Sequence, residues 1–235
     1  MKYFSHYIWE SGSEGKANPV SLVLQQVKYG GKHHLFACIC EAEECSEGGI
    51  YTGGYVTTSL VEWFHDQYLQ LWYKKPMGEK LQRALKKELG KMEEALVVYA
   101  GEKETYVKYH MLGILMCEHD FLCFAKGTPK GYLFNHRFNR KQRIPWMDRL
   151  FTRQVYEKEE RDEVRFAFGY LQKGVGVLLC GSRFDAYISA EEMIEVLLHP
   201  WDNEEQIQKS LRELWKENQI RGGEKDGAAI YVTIP

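Results

Sequence analysis

The shortness of the connections between its apolar runs constrains this chain most. Tyr109 to Cys117 and Phe121 to Ala125 are runs of aliphatic, aromatic and sulfur-bearing residues, separated only by Glu118, His119 and Asp120. A turn this short closes an antiparallel pair, whereas parallel strands need a crossover of about a dozen residues or more. The same reasoning applies at KYGGKHH, between Val20 to Val27 and Leu35 to Cys40, and at AGEKE, which follows Ala95 to Ala100. Together with Gly176 to Cys180 and Ala228 to Ile234, these runs predict antiparallel sheet. His33 and His34 fall in the first of these turns and read as solvated loop residues.

Helical spacing appears in four places. From Thr58 to Tyr73, Leu60, Val61, Phe64, Tyr68, Leu71 and Trp72 fall on one broad face. From Glu79 to Leu96, Leu81, Leu85, Leu89 and Met92 repeat the pattern opposite a Lys and Glu face. Ser189 and Glu192 have the spacing of a capping box at the head of a helix running to Leu198. Asn203 to Asn218 completes the set, with Ile207, Leu211 and Leu214 inward. Neither a repeat nor a linker interrupts the 235 residues, so one α+β domain over 1–235 is expected, large enough to need no disulfide.

Composition narrows the function classes. A formal net charge of −2 gives no global attraction to nucleic acid or to a membrane surface. No apolar run approaches the roughly 20 residues of a membrane span, and MKYFSHYIWESG lacks the core of a signal peptide, so a cytoplasmic protein is expected. Six cysteines lie mostly inside apolar runs, which suits small core residues in a reducing compartment. Zinc is the sharper reading for Cys38, Cys40 and Cys45, but there is no CxxC pair and no His-rich partner segment. The serines show no nucleophile-elbow motif, and no cysteine has a recognisable activating histidine.

Several local strings, taken in order, resemble the metal-dependent serine/threonine phosphatases of the PPM type, especially their compact bacterial members. FACIC followed by EAEECSEGGIYTGGYVTTSLVEWF resembles the family's strand, Asp-Gly-Met-Gly-Gly turn and long helix. FAKGTPKGYL looks like its Gly-Asp-Ser-Arg-x-Tyr turn, and LLCGSRFDAYISAEEM like Leu-Leu-Cys-Ser-Asp-Gly-Phe with the capped helix after it. EKDGAAIYVTI is similar to the closing Asp-Asn strand, and GKANPVSLVLQ to the Arg-x-x-Asn-x-Asp segment. The resemblance covers nearly the whole chain. It implies a four-layer α-β-β-α sandwich, two antiparallel sheets flanked by helix pairs, with a cleft at one end.

The registration also implies what stands at each functional position. Glu41 takes the place of the bridging aspartate and Ala42 that of the metal-binding glycine. Asp226 stands at the closing aspartate with Gly227 at the asparagine. The other positions are substituted: Gly15 lies near the phosphate-binding arginine, with Lys16 adjacent, Pro19 and Val20 replace the acidic pair, and Thr128 and Ser182 each replace an aspartate. Two adjacent divalent cations need several carboxylates to offset their repulsion. Glu41 and Asp226 alone would hold at most one weak cation. The expectation is therefore a catalytically inactive, protein-binding or regulatory module of bacterial signalling that uses no cofactor. The alternative is a divergent Mn- or Mg-dependent phosphatase that recruits Glu43, Glu44 or Asp185.

The segment NHRFNRKQRIPWMDRLFTR concentrates Arg137, Arg140, Lys141, Arg143, Arg149 and Arg153 around Phe138, Trp146 and Phe151. Cationic and aromatic side chains together suit a protein partner that is acidic or phosphorylated. The bland alternative is a solvated basic loop balanced by the acids of YEKEERDE. Nucleic acid is disfavoured by the overall charge.

Overall fold

The computed structural model of the chain describes residues 3–10, 18–74, 78–105, 107–135, 164–197, 201–223 and 226–235. Nine strands among them form two antiparallel sheets. One has the order β1 (Phe4–Glu10), β9 (Gly227–Thr233), β8 (Val175–Cys180), β6 (Lys130–Asn135). The other runs β2 (Val20–Tyr29), β3 (Lys32–Ala42), β4 (Tyr109–Cys117), β5 (Asp120–Lys126), β7 (Arg165–Tyr170).

Strand β3 shows why the layers stack as they do. Leu35, Ala37 and Ile39 point into the core between the sheets, beside Leu112, Ile114, Val177 and Ile230. Phe36, Cys38 and Cys40 point the other way, against the helices. The pleat thus accounts for FACIC: alternate residues serve different cores, and both cores are apolar. Burial pushes the Cys38 and Cys40 thiols well above their ordinary value, so they are inert packing groups.

The outer face of the five-stranded sheet is covered by α1 (Glu47–Trp63), a π-helical turn (Phe64–Tyr68), α2 (Leu69–Lys74) and α3 (Glu79–Lys103). The four-stranded sheet is covered by α4 (Ala190–Leu197) and α5 (Glu204–Ile220). Ser189 and Glu192 form the expected capping box: the Glu192 amide donates to Ser189 Oγ at 3.2 Å, and the Ser189 amide returns a bond to Glu192 Oε2 at 2.8 Å. Among the described residues no helix is long and apolar enough to cross a membrane.

Four expectations are corrected. Ala95 to Ala100 is not a strand but the last turns of α3, and AGEKE closes that helix through Glu104 in the left-handed conformation rather than a hairpin. Leu96 extends the buried row Leu81, Leu85, Leu89, Met92, so burial at helical spacing overrides the β-branched Val97 and Val98, which are left exposed. The first helix begins at Glu47 rather than Thr58, because its glycines let it lie close on the sheet: a Cβ on Gly53 would come within 2.7 Å of Ser21 Oγ. His34 is fully buried in β3, its Nδ1 3.4 Å from Tyr68 Oη, and burial lowers its pKa. Strands β1, β6 and β7 carry no clear apolar alternation and were not expected.

Gly113 on β4 lies opposite Phe124 on β5, and an added Cβ would overlap that fully buried ring. Gly113→Val is expected to cost about 1–3 kcal/mol through overpacking, read as a lower urea midpoint with an unchanged slope.

Candidate functional site

Glu41 is the last charged position of β3, in register with Val20 on β2 and His110 on β4. By the pleat it belongs to the set that faces the opposite sheet, so its side chain spans the two layers. Its Oε2 accepts the Ser182 amide at 2.8 Å, just beyond the end of β8. The approach depends on Gly181, where an added Cβ would overlap Glu41 Oε1. Glu41 is 4 % exposed, and Oε1 has no hydrogen-bond partner among the described residues.

Desolvation dominates the electrostatics of this carboxyl and raises its pKa. The Ser182 hydrogen bonds and the positive charge of Arg183 act in the opposite direction, while the nearby Asp185 adds to the rise. Val20, on the neighbouring strand, is 2 % exposed and offers no ligand atom. Its carbonyl accepts Trp9 Nε1 at 2.9 Å.

The turn after β8 carries the other groups. The Phe184 amide closes it on the Gly181 carbonyl at 3.1 Å. Phe184 is fully buried and stacks on Trp215 of α5 at 5.7 Å between centroids. The buried Asn218, also on α5, donates through Nδ2 to the Arg183 carbonyl at 3.1 Å and accepts the Tyr187 amide through Oδ1 at 3.1 Å. Trp215 also lies against Gly227, where an added Cβ would sit 2.5 Å from the ring. One indole therefore fixes both the 181–184 turn and the start of β9, and brings Arg183 Nη1 to 3.6 Å from Asp226 Oδ2.

Asp185 is 4 % exposed. Its Oδ2 accepts Lys130 Nζ at 2.9 Å and Tyr132 Oη at 2.5 Å, both from β6, while Oδ1 has no hydrogen-bond partner among the described residues. Thr128 is exposed in the turn before β6, away from these bonds. Glu43 is engaged by Lys108 at 3.2 Å and by His110 Nε2 at 3.1 Å, and Glu44 is exposed. Among the described residues, no three His, Cys, Asp or Glu side chains form a group that could hold a metal ion. Glu41, Val20, Ser182 and Asp226 are thus brought to one end of the sandwich. Gly15, Lys16, Arg137, Arg140, Lys141, Arg143 and Trp146 lie outside the described residues.

The layers and strand order allow comparison with solved structures. The Stp1 serine/threonine phosphatase from Staphylococcus aureus superposes with a TM-score of 0.71 at 15 % identity, covering 100 % of this chain and 96 % of its own. PppA, a regulatory component of the type VI secretion system in Pseudomonas aeruginosa, gives 0.70 at 16 % identity, over 99 % and 98 %. The chain has the fold of bacterial PPM-type phosphatases. The catalytic domain of the serine/threonine phosphatase PstP, in complex with two manganese ions, shares it at 0.64 and 18 % identity, over 98 % and 96 %. No protein-family model and no curated protein matches the sequence.

Asp185 was named from the sequence as a residue the alternative phosphatase would recruit, whereas Arg183 and the Lys130 and Tyr132 partners of Asp185 were not singled out as site residues. The available signal was Arg183 itself, a cation at the place of the family's glycine and directly after Ser182.

Because burial raises the Glu41 pKa, the folded chain holds this proton more tightly than the unfolded chain does. Its contribution to stability is therefore fully present below the ordinary value of 4.5 and is lost as the pH rises through the raised folded value. Glu41→Gln cannot ionise, so its stability relative to the parent should increase with pH across that window. Urea unfolding of both proteins between pH 4 and pH 8 measures the difference. A pH-independent difference contradicts the assignment.

Proposed function

We propose that the chain is a single phosphatase-fold domain that is catalytically inactive and acts by binding another protein. The observation that carries this reading is how the two mapped carboxylates are engaged. Glu41 is buried and bound to the Ser182 amide, and Asp226 is paired with Arg183. Metal-assisted phosphoester hydrolysis needs a pair of cations to polarise the phosphate and to lower the pKa of the attacking water. Cations such as Mn2+ and Mg2+ bind through ionised carboxylates and other hard oxygens. Here burial disfavours the charged form of one carboxyl, the other faces a guanidinium, and Val20 supplies no oxygen from its side chain. On this reading the donor set does not fit two divalent cations, and Gly15, Val20, Thr128 and Ser182 are lost functional positions.

The partner is proposed to carry acidic or phosphorylated groups and to dock on the segment containing Arg137, Arg140, Lys141, Arg143 and Trp146. Guanidinium forks bind carboxylate and phosphate in a bidentate manner, and an adjacent indole adds apolar contact area.

A second reading, a divergent metal-dependent phosphatase, is favoured by one observation: Glu41 Oε1 and Asp185 Oδ1 are buried oxygens without a hydrogen-bond partner among the described residues. Such groups are costly unless something satisfies them. A Mn2+ titration with p-nitrophenyl phosphate separates the readings. The expected result is no metal-dependent turnover, together with a bound protein that is retained by the parent and lost from an Arg140→Glu, Arg143→Glu variant. Turnover abolished by Glu41→Ala or Asp226→Ala would establish the second reading instead.

A further inference from the structure

We propose that Arg183 is a built-in cation that takes over the charge-neutralising role of a metal in this cleft and excludes divalent cations from Asp226 and Glu41. The inference rests on the non-catalytic reading above and adds a cause for it. Three observations carry it.

The guanidinium is delivered to the carboxylates by a fixed scaffold. Ser182, immediately before Arg183, gives its amide to Glu41, and Phe184, immediately after, is locked under Trp215. Asn218 holds the Arg183 carbonyl, so the backbone on both sides of the side chain is anchored. The same Trp215 packs on Gly227, beside Asp226. The distance between Arg183 Nη1 and Asp226 Oδ2 is thus set by one buried indole rather than by two free surface side chains.

The pair is only partly solvated. The Arg183 and Asp226 side chains are 23 % and 21 % exposed, so their interaction is screened less than that of a surface ion pair. The charge also reaches Glu41, where Arg183 opposes the effect of desolvation. One cation therefore acts on both of the carboxylates that the fold brings to this end of the sandwich.

A guanidinium and a divalent cation cannot share these oxygens without repulsion. An arriving metal would have to displace Arg183 from Asp226 or sit against it, and among the described residues no three His, Cys, Asp or Glu side chains form a group that could hold it. At about 4 Å in a partly buried site, repulsion between like charges is enough to suppress an affinity by tenfold or more.

The test compares the full chain with Arg183→Gln and Arg183→Lys, using Mn2+ alone as the probe, by isothermal titration calorimetry and thermal unfolding. The parent and Arg183→Lys should show no resolved Mn2+ binding and no change in Tm with millimolar Mn2+. Arg183→Gln should bind Mn2+ about tenfold or more tightly than the parent and gain Tm with added metal. That gain should vanish in Arg183→Gln, Asp226→Asn. If Arg183→Gln binds no better than the parent, or remains unfolded at every Mn2+ concentration, the inference is overturned. It is also overturned if the parent binds Mn2+ at a site lost in Asp226→Asn. Failure of the non-catalytic reading is distinguishable, because that appears as phosphoester turnover by the parent, whereas this test reads the cation response of Arg183 variants.

Discussion

Strand β3 is covered on both faces, by the second sheet on one side and by α1 and α3 on the other, and that two-sided burial governs the rest of the structure. It removes every side chain from Leu35 to Ala42 from water, the last two residues of the strand included. Leu35, Ala37 and Ile39 profit from this and contribute apolar burial at roughly 25 cal/mol per Å2. Glu41 follows the same parity and is carried into the same interior, where an ionised carboxylate is expensive unless donors meet it. The Ser182 amide is one such donor, and the absence of a side chain at Gly181 lets it approach. A polar link between the two sheets is thus a direct consequence of where an apolar strand ends.

The cleft around that link is arranged so that protein cations meet protein anions. Arg183 faces Asp226, Lys130 faces Asp185, and Lys108 and His110 face Glu43. In a fold whose solved relatives include one with two manganese ions bound, this chain meets its own carboxylates with side-chain charge. Charges matched in this way, most of them only partly buried, leave less negative potential to attract an external cation. The phosphatase fold and the proposed loss of phosphatase chemistry are compatible, because the sheets depend on apolar burial and such chemistry depends on a few residues at the strand ends.

Most of the fold was legible because most of its strands are apolar on both faces. Tyr109 to Cys117 could be delimited from the sequence to the residue, since its side chains are buried against one core or the other and its ends are marked by a polar turn. Two edge strands gave no such signal: β1 and β7 expose Tyr7, Trp9, Phe168 and Tyr170, so their pattern is neither alternating nor continuously apolar. Ala95 to Ala100 misled because short β-branched runs fit either state, and only the burial of Leu96 on the far side of α3 decides for helix. In the site, Glu41, Val20, Ser182 and Asp226 could be named because strand ends keep their place when a fold diverges. The Arg183 to Asp226 contact could not, because it depends on Trp215 and Asn218 meeting the 181–184 turn, a tertiary contact that the helical spacing of α5 does not report.

The proposed chemistry of this site requires that the protein itself occupy the electrostatic position of a metal. Soaking crystals of the protein in Mn2+ and collecting anomalous diffraction at the manganese absorption edge tests this directly. The expected result is no anomalous peak within coordination distance of Glu41 or Asp226, with the Arg183 guanidinium still against Asp226. One or two manganese peaks bound by those carboxylates, with Arg183 swung away, would contradict it.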